Sequence, residues 1–255
     1  EIRITKEKLG VPSDREFYVP EKVYELFRSV KEDNLKEYDA WMNLFNNEIS
    51  GEKKVKWERF FSPCSIDDLR NEMTSFETGK SIATRSAGGT ILAEIFEKLP
   101  NFTGGSADLG PSNKTTVKGI SVSGRGRVGK SIHFGVRENA MGSIQNGIAY
   151  YGGFIPFSAT FLVFMDYMRP ALRLAALSGL QSIYVFTHDS IFVGEDGPTH
   201  QPVEHLASAR AIPNLNVIRP CDAEETREAW LAALENRTGP TLLALSRQNL
   251  PVLKR

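Results

Sequence analysis

Two histidines, two aspartates and a glutamate fall within the 13 residues from His188 to His200. The chain has four histidines, so half of them sit in one stretch. It reads Thr187-His188-Asp189-Ser190, then Gly194-Glu195-Asp196-Gly197-Pro198-Thr199-His200-Gln201-Pro202. Side chains of these types bind hydroxyl groups and move protons at neutral pH. Gly194, Gly197 and Pro198 restrain the backbone that carries them. Arg85, in Thr84-Arg85-Ser86, and Arg247, in Leu245-Ser246-Arg247-Gln248, add two guanidinium groups, which suit a phosphate. Ser112, in Gly110-Pro111-Ser112-Asn113, offers a hydroxyl and nearby backbone N–H groups to an anion. Taken singly, each arginine reads as a surface residue and the Gly-Pro-Ser-Asn run as a plain turn. Placed at one rim with His188, they make an anion clamp.

Two further groups carry chemistry. Glu138 opens a stretch, Ala140 to Tyr151, with no ionisable side chain except tyrosine. An acid at a helix start can simply complement the helix dipole. A helix apolar all round is expected to be buried, which would desolvate the leading carboxyl and suit it to share a proton with a ligand nitrogen. Phe161, Phe164 and Tyr167 recur at spacings of three and share one side of a helical turn. That pattern fits core packing, and it also fits a slot for a flat heterocycle. Asp108 follows the small residues Gly104-Gly105-Ser106-Ala107, which allow close ligand approach.

The elements that must hold these groups alternate. Strands are expected near 101–107, 131–134, 154–159, 182–187, 215–218 and 241–246. Helices are expected near 88–99, 138–151, 164–178, 202–211 and 222–236. Such alternation predicts an α/β fold, a three-layer arrangement with a parallel sheet flanked by helices. Ligand sites in such sheets lie past the carboxyl ends of the strands, where His188 falls. Residues 1–77 differ: they hold 30 of the 62 charged side chains but only two glycines, and read as a helical arm with helices over 21–30 and 34–47. The rest, 78–255, reads as the working domain.

The balance of 31 basic and 31 acidic side chains argues against nucleic acid as the partner. No run of 18 apolar residues suggests a membrane span. Cys64 and Cys221 have no ligand-like spacing and suggest reduced thiols in a cytosol-like compartment. The chain starts without Met, as a processed product or excised fragment would.

Six motifs occur in order: Gly104-Gly105-Ser106-Ala107-Asp108-Leu109, Gly135-Val136-Arg137-Glu138, Thr160-Phe161 with Phe164 and Tyr167, Thr187-His188-Asp189-Ser190-Ile191, Gly194 to Pro202, and Ser246-Arg247-Gln248-Asn249-Leu250. The set closely resembles the transketolase family of thiamine diphosphate enzymes, over about Thr78 to Val252. The resemblance implies a pyrimidine-binding domain, the middle one of three, with 1–77 as inter-domain linker and the diphosphate-binding and C-terminal domains absent. It implies thiamine diphosphate with Mg2+ or Ca2+, the ion held on the absent domain and no complete metal site here. Glu138 would bond the pyrimidine N1′, with Phe161, Phe164 and Tyr167 around the ring and Asp108 at the site's rim. Glu138, His188 and His200 would be catalytic. His188, Asp196 and His200 would meet sugar hydroxyls, and Arg85, Ser112, His188 and Arg247 the substrate phosphate.

The implied reaction moves a two-carbon ketol unit from a ketose phosphate to an aldose phosphate in the pentose phosphate pathway. The implied setting is a cytoplasmic homodimer whose sites also need a diphosphate-binding domain, so the chain alone should be silent. Dihydroxyacetone synthase and a non-catalytic binding or assembly module are the alternatives, with deoxyxylulose-phosphate synthase a more distant relative. Phe192, where the family has Gly, and Asn139, where it has His or Phe, depart from the pattern.

Overall fold

A computed structural model describes residues 1–254. The chain divides into two compact units, one ending at Glu58 and one beginning at Arg59. The first holds α1 (Ile2–Lys8), α2 (Glu21–Glu48) and most of α3 (Gly51–Phe61). The expected helices 21–30 and 34–47 are one continuous helix, because residues 31–33, Lys-Glu-Asp, contain no breaker. Pro20 precedes it and Glu21 complements its first turn. No residue of α1, α2 or α3 is buried.

The second unit adds, in order, α4 (Ile66–Glu72), β1 (Ser81–Ala83), α5 (Thr84–Lys98), β2 (Phe102–Ser106), α6 (Gly110–Asn113), α7 (Glu138–Tyr151), β3 (Ile155–Phe161), α8 (Met165–Leu177), β4 (Ile183–Thr187), α9 (His205–Arg210), β5 (Asn216–Ile218), α10 (Ala223–Glu235), β6 (Thr241–Leu245) and β7 (Asn249–Pro251). Leu69 and Met73, ahead of β1, pack into its core. Five strands form one parallel sheet in the order β2-β3-β4-β6-β5. A separate antiparallel pair joins β1 to β7.

The central strands carry apolar side chains on both faces, as a sheet covered on both sides requires. Val185 and Leu243 face a core shared with α5 and α10, built on Ile91, Phe96, Phe102, Phe157 and Trp230. Tyr184, Phe186, Leu242 and Ala244, one step out of phase, face a second core with Met141, Met168 and Leu172 of α7 and α8. Gly142 lets these two helices approach: a Cβ there would lie 2.8 Å from Ala171 Cβ and 2.9 Å from Met168 Cγ.

Three expectations are corrected. Residues 131–134 form no strand; Ser131 makes only isolated bridges to Gly104 and Val122. Gly104 N donates to Lys130 O and Ile132 N to Gly104 O, which lays 130–132 so close that a Cβ on Gly105 would sit 1.9 Å from Ile132 O. The expected helix over 88–99 begins at Thr84, which places Arg85 in its first turn. Finally, α7 is buried on one face only: Glu138, Met141, Gly142 and Gln145 are covered, while Ala140, Ser143, Ile144, Gly147, Tyr150 and Tyr151 are exposed. Met141 and Gly142 meet α8, and among the described residues the other side is exposed.

Candidate active site

Register brings the site together. Phe161 pairs with Thr187, and Thr187 with Leu245, so β3, β4 and β6 end level. His188 and Arg247 follow directly. A second link fixes Arg85. Thr84 N donates to Ser246 Oγ at 3.1 Å, Ser246 N donates to Thr84 Oγ1 at 2.6 Å, and Arg85 N donates to Ser246 O at 3.3 Å. The start of α5 is thus tied to the end of β6, and both arginines reach the rim.

His188 sits at the centre. It is buried and holds φ 57°, the left-handed region that an ordinary side chain occupies at a cost of roughly 1–2 kcal/mol. Its Nε2 lies 3.3 Å from Arg85 Nη1. A guanidinium only donates, so Nε2 accepts and the neutral ring carries its proton on Nδ1, 2.8 Å from Thr187 Oγ1. Thr187 Oγ1 also accepts from Asn113 Nδ2 at 2.7 Å. Burial, then the charges of Arg85 and Arg247, then His200, push the His188 pKa down to about 3. The ring is therefore uncharged at neutral pH and adds no repulsion to the two arginines. Burial, followed by the nearby Arg247, likewise lowers the Arg85 pKa, with Asp196 opposing.

Arg85 Nη1 donates to the Ser112 carbonyl at 2.8 Å, so the short α6 positions the guanidinium through its backbone. Arg247 Nη2 lies 3.5 Å from Glu195 Oε2, and a Cβ on Gly194 would come within 3.2 Å of the Arg247 guanidinium carbon. A side chain there would crowd the guanidinium slightly, and the φ of 89° favours glycine at this position in any case. Asp196 is exposed and His200 half-buried. Phe192 is exposed, with its N–H bonded to Ser190 Oγ at 3.2 Å.

The aromatic groups lie beside this clamp. Phe161 and Phe164 stack at 5.8 Å with planes 6° apart, and Phe164 lies 6.2 Å from Tyr167. Phe161 is 3.7 Å from the His188 ring, and Phe164 5.4 Å from that of His200. Tyr167 and the buried Glu138 border one open pocket of about 590 Å3 with Arg137, Asn139, Ala140 and Ser143. Asp108 takes φ 60° and borders a different, smaller pocket of about 100 Å3 with Ser106, Thr115 and His133.

Two supports went unread in the sequence. Asp189, buried, receives Arg219 Nε at 2.6 Å and anchors the chain next to the left-handed His188. The buried set Ser106, Asn113, Thr115 and Thr187 holds the histidine from below, with Ser106 Oγ 2.6 Å from Thr115 Oγ1. The short polar residues at the strand ends were the available signal.

The model of the transketolase pyrimidine-binding domain matches residues 80–252. The transketolase of Halalkalibacterium halodurans is 47% identical across 100% of this chain, which covers 39% of that protein. The solved transketolase of Campylobacter jejuni is 42% identical with a TM-score of 0.88, over 100% of this chain and 38% of that one. A Pichia stipitis transketolase variant in complex with fructose 6-phosphate is 38% identical with a TM-score of 0.90, over 99% of this chain and 39% of that one. The chain therefore spans about two-fifths of the length of these relatives. With the family model matched over residues 80–252 and the whole chain aligned to transketolases in sequence and fold, the chain belongs to the transketolases and carries their pyrimidine-binding domain.

Proposed function

We propose that this chain is the pyrimidine-binding part of an enzyme that transfers a two-carbon ketol unit from a ketose phosphate to an aldose phosphate. One observation carries the reading: Arg85, His188 and Arg247 meet at a single rim, beside an aromatic turn and a pocket that opens onto a buried carboxyl. A clamp of two fixed cations and a neutral histidine suits a phosphate dianion.

The residues also fit thiamine diphosphate. The pocket shared by Glu138 and Tyr167 pairs an aromatic wall with one acid, the donor set an aminopyrimidine needs. Glu138 would bond a ring nitrogen and pass a proton there, and Phe161, Phe164 and Tyr167 would hold the ring's orientation. When bound, the cofactor supplies an electron sink for the carbanion. The divalent ion belongs, on this reading, to the diphosphate-binding domain. Arg85, Arg247 and His188 fix the far end of the sugar phosphate, while Asp196 and His200 take its hydroxyls and Asp108 borders the entrance. Such placement lowers the entropic part of the barrier.

The exposed, uncharged face of α7, with Ala140, Ser143, Ile144 and Gly147, supports a homodimer built there. Two cysteines far apart in sequence, with no disulfide-framework spacing, support a reducing, cytoplasmic setting.

The test is ketol transfer from xylulose 5-phosphate to ribose 5-phosphate, with cofactor and Mg2+, by the chain alone and with a separately produced diphosphate-binding domain. Activity is expected in the mixture only, and Glu138→Gln should lower it roughly a hundredfold or more. Turnover by the chain alone, or full activity of Glu138→Gln, would overturn the reading.

A further inference from the structure

We propose that Asp166, Glu204 and His205 bind one divalent transition-metal ion, at a site separate from the phosphate clamp and independent of the function proposed above. His205 opens α9, and its side chain is 5% exposed. Its Nε2 lies 3.2 Å from Asp166 Oδ2. Its Nδ1 lies 4.0 Å from Glu204 Oε2 and is a buried nitrogen with no hydrogen-bond partner.

A neutral imidazole has one N–H. Whichever nitrogen carries it, the other turns a lone pair toward a carboxylate oxygen. With Nε2–H donating to Asp166, the buried Nδ1 lone pair is left facing the Glu204 carboxylate without a donor, and a cation beside it would satisfy both. One donor atom from each of the three residues lies within 4.8 Å of the others. Donors about 2.1 Å from a shared ion stand up to about 4 Å apart, so only a small adjustment is needed. Asp166 and Glu204, 58% and 72% exposed, are free to make it, while the buried histidine stays fixed.

One imidazole and two carboxylates suit Mn2+, Co2+ or Zn2+, and the two negative charges match the ion's two positive ones. Solvent at the exposed carboxylates leaves room for water in the remaining positions. Placement gives the ion a structural consequence. Asp166 lies in the first turn of α8, directly after the stacked Phe161–Phe164 turn. Glu204 follows the loop that carries Asp196 and His200. A shared ion staples that loop to the aromatic turn.

Mn2+ is the probe, since it favours oxygen and imidazole over thiols. Titration followed by electron paramagnetic resonance and calorimetry should show one ion per chain, with a rise in melting temperature. Asp166→Asn and Glu204→Gln, both exposed and expected to fold normally, should each lose the bound-ion signal and the thermal shift. His205→Gln should do the same, with circular dichroism checking its fold. Absence of binding at millimolar Mn2+, or unchanged binding in the two carboxylate variants, would overturn the proposal.

Discussion

Trp41 and Trp230 sit in the two compact units and have opposite surroundings. Trp41, on α2, is 48% exposed and lies beside close sequence neighbours, with Tyr38 at 6.2 Å and Phe45 at 5.3 Å between ring centroids. Trp230, on α10, is 1% exposed and packs 6.3 Å from Phe102 of β2, more than a hundred residues away in sequence. The first unit holds its helices by local pairs, such as Arg28–Glu21 and Lys36–Asp33, both between exposed side chains and worth little. The second draws its stability from long-range burial on two faces of a sheet. Apolar content alone therefore says little about stability; what matters is whether a second layer arrives to cover it.

The largest expected break in that contrast is Trp230→Ala, which should cost roughly 3–5 kcal/mol in denaturant unfolding, while Trp41→Ala should cost far less. A comparable cost for the two would mean that the first unit has a core of its own. Next comes Asn113→Ala, which strands Thr187 beneath His188. A loss of about 1–3 kcal/mol is expected, read by the same unfolding curves.

The third test is pH. Folding lowers the His188 pKa from 6.5 to about 3, so between those values the unfolded chain holds the extra proton. The contribution of a neutral His188 is complete above pH 6.5 and is lost as pH falls toward 3. Thermal or urea unfolding should therefore show a slope of up to about 1.4 kcal/mol per pH unit in that window, and His188→Gln should flatten it. An unchanged slope in the variant would remove His188 as its source. The smallest effect is expected on the first unit, where Leu26→Ser and Phe27→Ser, both at exposed positions, should change stability by no more than about 0.5 kcal/mol.

Much of this was legible in the sequence, for physical reasons. Runs such as Ile183 to Thr187 are apolar on both faces, and only a doubly covered strand tolerates that. The meeting of Arg85, His188 and Arg247 at one rim was legible because they stand at element ends. What escaped was pairing at a distance. Nothing local to Asp189 points to Arg219, thirty residues on. Nothing around Ser131 says that it would run beside the glycines of β2 without forming a strand. For α7, composition predicted burial all round, but only the face that meets α8 and the sheet is buried. The early start of α5 was missed because Thr84, a poor helix former, is held there by Ser246.

The small β1–β7 pair has a consequence for how such a chain changes over generations. Ser81 lies opposite Pro251 and Ala83 opposite Asn249, so the two threads that lead into and out of the sheet run side by side. A unit whose entry and exit are neighbours can be spliced into a longer polypeptide, or lifted out of one, through a single narrow seam. It could equally be opened elsewhere, at an exposed turn, and rejoined across that seam, with the order of its genetic segments rotated and its strand order left intact.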